Sequence, residues 1–203
     1  MKEFEDPDYL PVLPDSVAIE AAAGRQIEGF LDVSHFVFVH KESFGEPDNP
    51  VVPDYKVAKT ANGFVADYIS TVSNYSQAYK HLNPSGFQWH RRFEVFLPFT
   101  AKLTVTFPGS GLLHILNAAS PVSARKTRLF VLICRNFDKN AAIEETLDFN
   151  YQVFAEDIAI VERQFPEDLP LDLHAEAHFP ADRSSVTYRK GLAALGLGRS
   201  YTA

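Results

Sequence analysis

Ala141-Ala-Ile-Glu-Glu-Thr-Leu-Asp-Phe-Asn-Tyr-Gln-Val-Phe-Ala-Glu-Asp-Ile-Ala-Ile-Val-Glu-Arg-Gln164 is the stretch on which the fold turns. Its apolar residues Ile143, Leu147, Tyr151, Phe154, Ile158 and Val161 follow one another at spacings of 4, 4, 3, 4 and 3. That is the period of a single helical face, and Pro166 just beyond supplies a stop. Upstream the pattern is different. Apolar runs at 93–97, 101–107, 112–117 and 127–135 are separated by Pro98, the Pro108-Gly-Ser-Gly111 cluster and Pro121. Ala61-Asn-Gly63, between strand-like 55–58 and 64–69, is a hairpin signal. Connections this short favour an antiparallel meander over parallel βαβ units. The class predicted is α+β, a curved antiparallel sheet packed around one long helix.

The flanks are less regular. Residues 1–26 read as a lead-in broken by Pro7, Pro11 and Pro14, and 26–40 as a helix weakened by Val33, Val37 and Val39. Residues 171–179 read as strand-like, ahead of a short terminal helix. The whole, 1–203, is expected to be one domain, with 27–203 as its functional body.

Composition narrows the function. With 19 Lys and Arg against 26 Asp and Glu the net charge is −7, and no basic run is present to follow a phosphate backbone, so nucleic acid is excluded as a partner. Cys134 is the only cysteine, so the chain by itself builds no disulfide framework and no iron–sulfur cluster. No apolar run approaches a membrane span, and the acidic start is unlike a signal peptide. No membrane partner and a cytoplasmic location are the expectations.

Around the long helix, Glu145, Asp148 and Glu156 fall outside the apolar stripe, on what reads as a solvated face, whereas Asp157 falls at the stripe's edge, about 60° from Phe154. A carboxylate turned towards a core is costly unless it is paired or binds a metal. Pairing with an arginine, or snorkelling off the edge, is the plain alternative. The second notable stretch is Asp32-Val-Ser-His35-Phe-Val-Phe-Val-His40. On a helix Asp32 and His35 are an i, i+3 pair among large hydrophobes. His40 lies about 140° from His35, so joint coordination needs a bend or a helix end. Two imidazoles and a carboxylate are the ligand set of non-haem iron(II) oxygenases.

Asp32-x2-His35-x4-His40 resembles the signature of Rieske non-haem iron oxygenases, above all the vanillate O-demethylase-like oxygenase subunits. Phe154-Ala-Glu-Asp157-Ile-Ala-Ile-Val-Glu162 is similar to the helix that supplies that family's third ligand. Pro121-Val-Ser-Ala-Arg-Lys-Thr-Arg128, Leu169-Pro-Leu-Asp172-Leu and Ala181-Asp-Arg183…Tyr188-Arg189 match later segments of the same catalytic domain in order. The resemblance implies a helix-grip (Bet v1/START-like) fold, a mononuclear Fe(II) held by His35, His40 and Asp157, and Asp32 as the acid passing an electron from a Rieske histidine of a neighbouring subunit. It also implies a homotrimer, a Rieske domain or subunit and a reductase as electron source, and dioxygen as co-substrate. The reaction implied is hydroxylation or demethylation of an aromatic or apolar small molecule; a hydroxylated methyl ether collapses to a phenol and formaldehyde. On this reading Glu156→Ala leaves iron binding intact.

Two departures stand out. Gly29 occupies a position where the family often has Asn, and the Cys/His motifs of the Rieske domain are absent, as though the chain began where that domain ends. Both suit a second reading, a non-catalytic helix-grip module that binds an apolar ligand and keeps a relic metal site. A 2-oxoglutarate-type enzyme ranks last, because its ligands run His-x-Asp and then a distant His. Candidate substrate contacts are Trp89, His90, His114, Asn117 and Asn136, all on or beside predicted strands. His174-Ala-Glu176-Ala-His178 lacks the HExxH order of a zinc protease and reads as an exposed strand, Arg91-Arg92 as a solvated edge, and Cys134 as a small buried hydrophobe.

Overall fold

A computed structural model describes residues 1–198, so the last five residues of the expected domain lie outside the described part. Eight antiparallel strands form one sheet: β1 (Leu10–Val12), β2 (Val17–Ile19), β3 (Lys56–Thr60), β4 (Gly63–Ser70), β5 (Trp89–Phe96), β6 (Thr100–Thr106), β7 (Leu112–Ser123) and β8 (Lys126–Arg135). From β3 to β8 the strands lie side by side in chain order, and β1 and β2 both pair with the outer edge of β8. Among the described residues the α-helices are α1 (Ala23–Leu31), α2 (Phe36–Val39), α3 (Ile143–Val161) and α4 (Arg183–Ala194).

Local chemistry accounts for the meander. In β5 the residues Trp89, Arg91, Phe93 and Val95 point inward while His90, Arg92 and Glu94 point out, the period-2 alternation of a half-buried strand. The β3–β4 hairpin closes at Thr60 opposite Gly63. A Cβ at Gly63 would run into the Val95 carbonyl oxygen, so the β4–β5 approach requires glycine. The inner face buries Phe64, Tyr68, Phe93, Val95, Val105 and Ile133. α1 lies over β7 and touches α3, and a Cβ on Gly29 would sit 3.1 Å from Val161 Cγ2. A sheet holding a long helix in this way is the helix-grip arrangement. No helix among the described residues is long and apolar enough to cross a membrane.

Several expectations are corrected. The helix predicted over 26–40 is broken in two. Asp32 is extended (φ −71°, ψ 132°), and its Oδ1 accepts from the Ser34 backbone at 2.8 Å, a turn that competes with the helical ladder. α3 stops at Val161, before Pro166 is needed. The supposed lead-in contributes β1 and β2, which cover the β8 edge with only three residues each, too few for periodicity to reveal. β7 runs on to Ser123, past an irregularity between Pro121 and Ser123. Residues 171–179 form no strand. Asp172 instead caps a short 3₁₀ turn by accepting from His174 N at 2.9 Å. Arg91 is no solvated edge but fully buried, donating to the Val72 and Ser73 carbonyls at 3.0 and 3.2 Å. Burial draws its pKa down to about 10.

Candidate metal centre and its cavity

The turn at Asp32 ends α1 and starts the chain again at His35, which precedes the single turn of α2, and His40 follows it. The two histidines therefore flank a helix too short to separate them by its ideal twist. His35 Nε2 and His40 Nε2 are 3.0 Å apart, and Asp157 Oδ1 on α3 lies 3.4 Å from the first and 3.1 Å from the second. Among the described residues these three form the group able to share one ion.

Each imidazole is held from behind. His35 Nδ1 faces Asp32 Oδ2 at 3.2 Å, and His40 Nδ1 faces Glu156 Oε2 at 2.8 Å. A carboxylate at Nδ1 keeps the proton there and leaves Nε2 as the donor, the usual carboxylate–histidine–metal relay. Three donors about 3 Å apart match three ligands set roughly at right angles about one first-row ion with bonds of about 2.1 Å. The donor set therefore fits iron(II). Burial pulls the His35 pKa down, but Asp157 and Asp32 outweigh it and hold it at about 9. Burial pushes Asp157 up, and His35 and His40 more than reverse this, to about 2.

Glu156 was expected on a solvated face, and that is corrected: its Oε2 also accepts from Ser43 Oγ at 2.6 Å. The loop after α2 folds over it, which helical angles on α3 alone do not reveal. Gly45 shapes that loop, for a Cβ there would run into the Phe36 carbonyl oxygen. Phe36 in turn stacks beneath the Arg91 guanidinium, 5.3 Å from its ring centre.

The three residues stand between two spaces. On one side is a cavity of about 500 Å³ between α3 and the sheet, walled by residues such as Phe30, Phe36, Leu113, Ile115, Phe149 and Phe154. On the other is an open cleft of about 240 Å³ lined by Gly29, Asp32, Ile160 and Gln164; His35 and Asp157 line both. Of the candidate substrate contacts, Asn117 lies in the cavity wall, where its Oδ1 accepts from Gln26 Nε2 at 3.4 Å. His90 is on the outer face with Asp67 at 2.9 Å. His114, also turned away, meets Thr104 Oγ1 at 2.9 Å. Trp89 is fully buried behind Tyr75 and Phe107, its Nε1 donating to Asn83 Oδ1 at 3.1 Å. Asn136 Oδ1 accepts from the Leu112 backbone at 2.7 Å. Sequence reasoning missed Gln26 and Arg135, which also line the cavity; both are polar residues on otherwise apolar faces, which was the available signal. Glu176 is absorbed by Arg25 (2.9 Å) and Arg189 (2.6 Å), and His178 lies 3.7 Å from Asp182.

Residues 19–197 match the family model described as the vanillate O-demethylase oxygenase C-terminal domain. The methylxanthine N1-demethylase NdmA of Pseudomonas putida is 32% identical over 194 residues, covering 92% of this chain and 51% of that protein. The methylxanthine N3-demethylase NdmB of the same organism is 26% identical over 191 residues, covering 94% and 51%. The chain thus spans about half the length of these two relatives. The structure of P. putida NdmA with caffeine superposes with a TM-score of 0.76 at 25% identity, over 97% of this chain and 56% of that one. Dicamba monooxygenase bound to dicamba shares the fold, with a TM-score of 0.75 at 14% identity over 95% and 60%. With its fold, its His35–His40–Asp157 cluster and this match, the chain belongs to the vanillate O-demethylase oxygenase C-terminal domain family.

Proposed function

We propose that this chain is the iron-binding catalytic domain of an oxygenase that demethylates or hydroxylates a small aromatic or apolar molecule. The observation that carries this is the convergence of His35, His40 and Asp157 at the wall of an apolar cavity. A bound Fe(II) would supply the activation of dioxygen. The chain's own residues do the rest. Asp32 and Glu156 hold the imidazoles in one tautomer, and the aromatic walls exclude water and align the substrate. The Gln26–Asn117 pair offers polar contacts. Asp32 borders the open cleft, on the side away from the cavity's apolar walls. That position suits the transfer of an electron from a Rieske domain or subunit fed by a reductase, and a homotrimer is the assembly proposed. The methylxanthine demethylases and dicamba monooxygenase support the substrate class as small ring compounds.

Anaerobic Fe(II) titration followed by mixing with a Rieske protein, its reductase and a panel of aryl methyl ethers and N-methyl heterocycles tests the reading. One iron per chain and release of formaldehyde are expected. No iron uptake would leave only the ligand-binding module.

A further inference from the structure

Arg91 is fully buried on β5, and the groups that accept from it are neutral. Nη1 donates to Ser70 Oγ at 3.4 Å. Nη2 donates to the Val72 and Ser73 carbonyls at 3.0 and 3.2 Å and to Asn74 Oδ1 at 3.3 Å. Glu46, whose charge reaches the guanidinium, accepts instead from Ser73 N at 3.1 Å. An arginine is rarely buried to this degree without a paired carboxylate, because its charge loses hydration. These hydrogen bonds all serve one segment, 70–74. The contact that reaches elsewhere is the face of Phe36, whose ring centre lies 5.3 Å from Arg91 Cζ. That is within range of cation–π attraction, which is strongest where water is excluded.

Phe36 is the ring about which the two histidines are arranged. The His35 ring meets it edge-on at 5.0 Å and Phe44 edge-on at 5.5 Å. His40 lies 6.2 Å away and stacks on Phe44 at 4.6 Å. The Phe36 carbonyl also accepts from His40 N at 3.2 Å. α2, which Phe36 begins, has four residues and no side-chain cap, and a turn this short has no stability of its own in water. The placement of both imidazoles therefore depends on what packs against Phe36. Asp32 and Glu156 fix how each ring is turned, not where α2 sits.

We infer that Arg91 is a positioning residue for the metal centre: its guanidinium anchors the Phe36 ring, and through it α2, where His35 Nε2 and His40 Nε2 meet Asp157. β5 is paired on both sides, by β4 and β6, so the anchor stands on a rigid part of the sheet. Only the identity of the ion, iron(II), rests on the oxygenase reading. A purely through-space effect has the opposite sign. A buried positive charge repels a divalent cation, so its removal would tighten binding, whereas loss of an anchor weakens it.

Fe(II) affinity by chelator competition and amide hydrogen exchange of the metal-free chain together test this. The chains compared are wild type, Arg91→Met, and chains carrying mono-, di- or trifluorophenylalanine at position 36 alone. Fluorination drains the ring face of negative charge, nearly preserves its shape and leaves every Arg91 hydrogen bond in place. Arg91→Met is expected to weaken Fe(II) binding by about tenfold. The fluorine series is expected to weaken it in steps, to about threefold with the trifluoro ring. The Val39 and His40 amides exchange faster at each step, while those of β6 and β7 stay unchanged. Tighter or unaltered binding in a folded Arg91→Met would overturn the inference. So would exchange that is flat across the fluorine series, or flat affinity in a chain that binds iron. Should Arg91→Met not fold, the fluorine series decides alone. A wild-type chain that takes up no iron refutes the oxygenase reading, and the exchange series, which needs no metal, still decides the anchor.

Discussion

His40 Nδ1 stands 2.8 Å from Glu156 Oε2, and the same carboxylate oxygen accepts from Ser43 Oγ at 2.6 Å. The neighbour of a candidate ligand on α3 thereby orients a second ligand carried by a loop more than a hundred residues earlier. Removing it should matter. Glu156→Ala is expected to weaken Fe(II) affinity by about 10–100-fold, the usual cost of losing such a support, and Glu156→Gln, which still accepts from Nδ1, to recover most of it. Competition with a calibrated chelator measures both. An unaltered affinity in Glu156→Ala would restore the solvated-face reading.

The three ligands themselves should behave as a unit. His35→Ala, His40→Ala and Asp157→Ala are each expected to abolish stoichiometric Fe(II) uptake, read by metal analysis after anaerobic desalting. Full occupancy in His35→Ala sinks the assignment.

The His35 pKa of about 9 sets a pH dependence. Below it the ring carries a second proton, which the metal must displace. Affinity should therefore fall by up to about tenfold per pH unit as pH drops below 9, with about one proton released per iron at neutral pH. Titration calorimetry in two buffers of different ionisation enthalpy counts that proton. Zero release contradicts the protonated state.

Gly45 connects packing to the site. A Cβ there meets the Phe36 carbonyl oxygen and lies 2.9 Å from that of His40, backbone atoms that cannot rotate away. Gly45→Ala should cost about 1–3 kcal/mol and displace His40, so that iron affinity falls together with the melting temperature. A fully stable variant with normal iron binding would show that the loop has room to adjust.

The Arg25–Glu28–Arg189–Glu176 network ties α1 to α4 beneath the cleft. Arg189 is held by Glu28 at 2.5 and 2.9 Å. Glu28→Ala removes a carboxylate shared by two buried guanidinium groups, leaving them Glu176 and the carbonyls of Pro166, Asp168 and Pro170, and is expected to cost about 3 kcal/mol in urea unfolding. Burial pushes Glu176 up, but Arg25 and Arg189 hold its pKa below the ordinary carboxylate value. Its contribution is complete above about pH 4.5 and disappears as pH falls through the lowered folded value. The stability gap between wild type and Glu176→Gln should therefore narrow on acidification. A gap constant from pH 7 to 3 would mean that the carboxylate is not held by charge.

Much of this was legible in one dimension, for identifiable reasons. The stripe from Ile143 to Val161 has a helical period, the runs that became β4 to β8 have a strand period between turn residues, and both periods follow from backbone geometry alone. The His35-x4-His40 and Asp157 set stood out because polar groups among large hydrophobes are costly without a partner. Asn117 was visible for the same reason. Hidden were features that depend on contacts between distant segments. The strands β1 and β2 exist because β8 offers an open edge, and Glu156 leaves solvent because the Ser43 loop closes over it. Arg91 is buried because carbonyls of the 72–73 loop surround it, and His90 and His114 turn outward by the register of β5 and β7. Helix and strand periods are set by neighbours along the chain, so the sequence by itself determined the long helix, the strands β4 to β8 and the ligand candidates. Which carboxylate supports which histidine, and which ring the buried Arg91 packs on, is set by neighbours in space, and only the tertiary structure decided it.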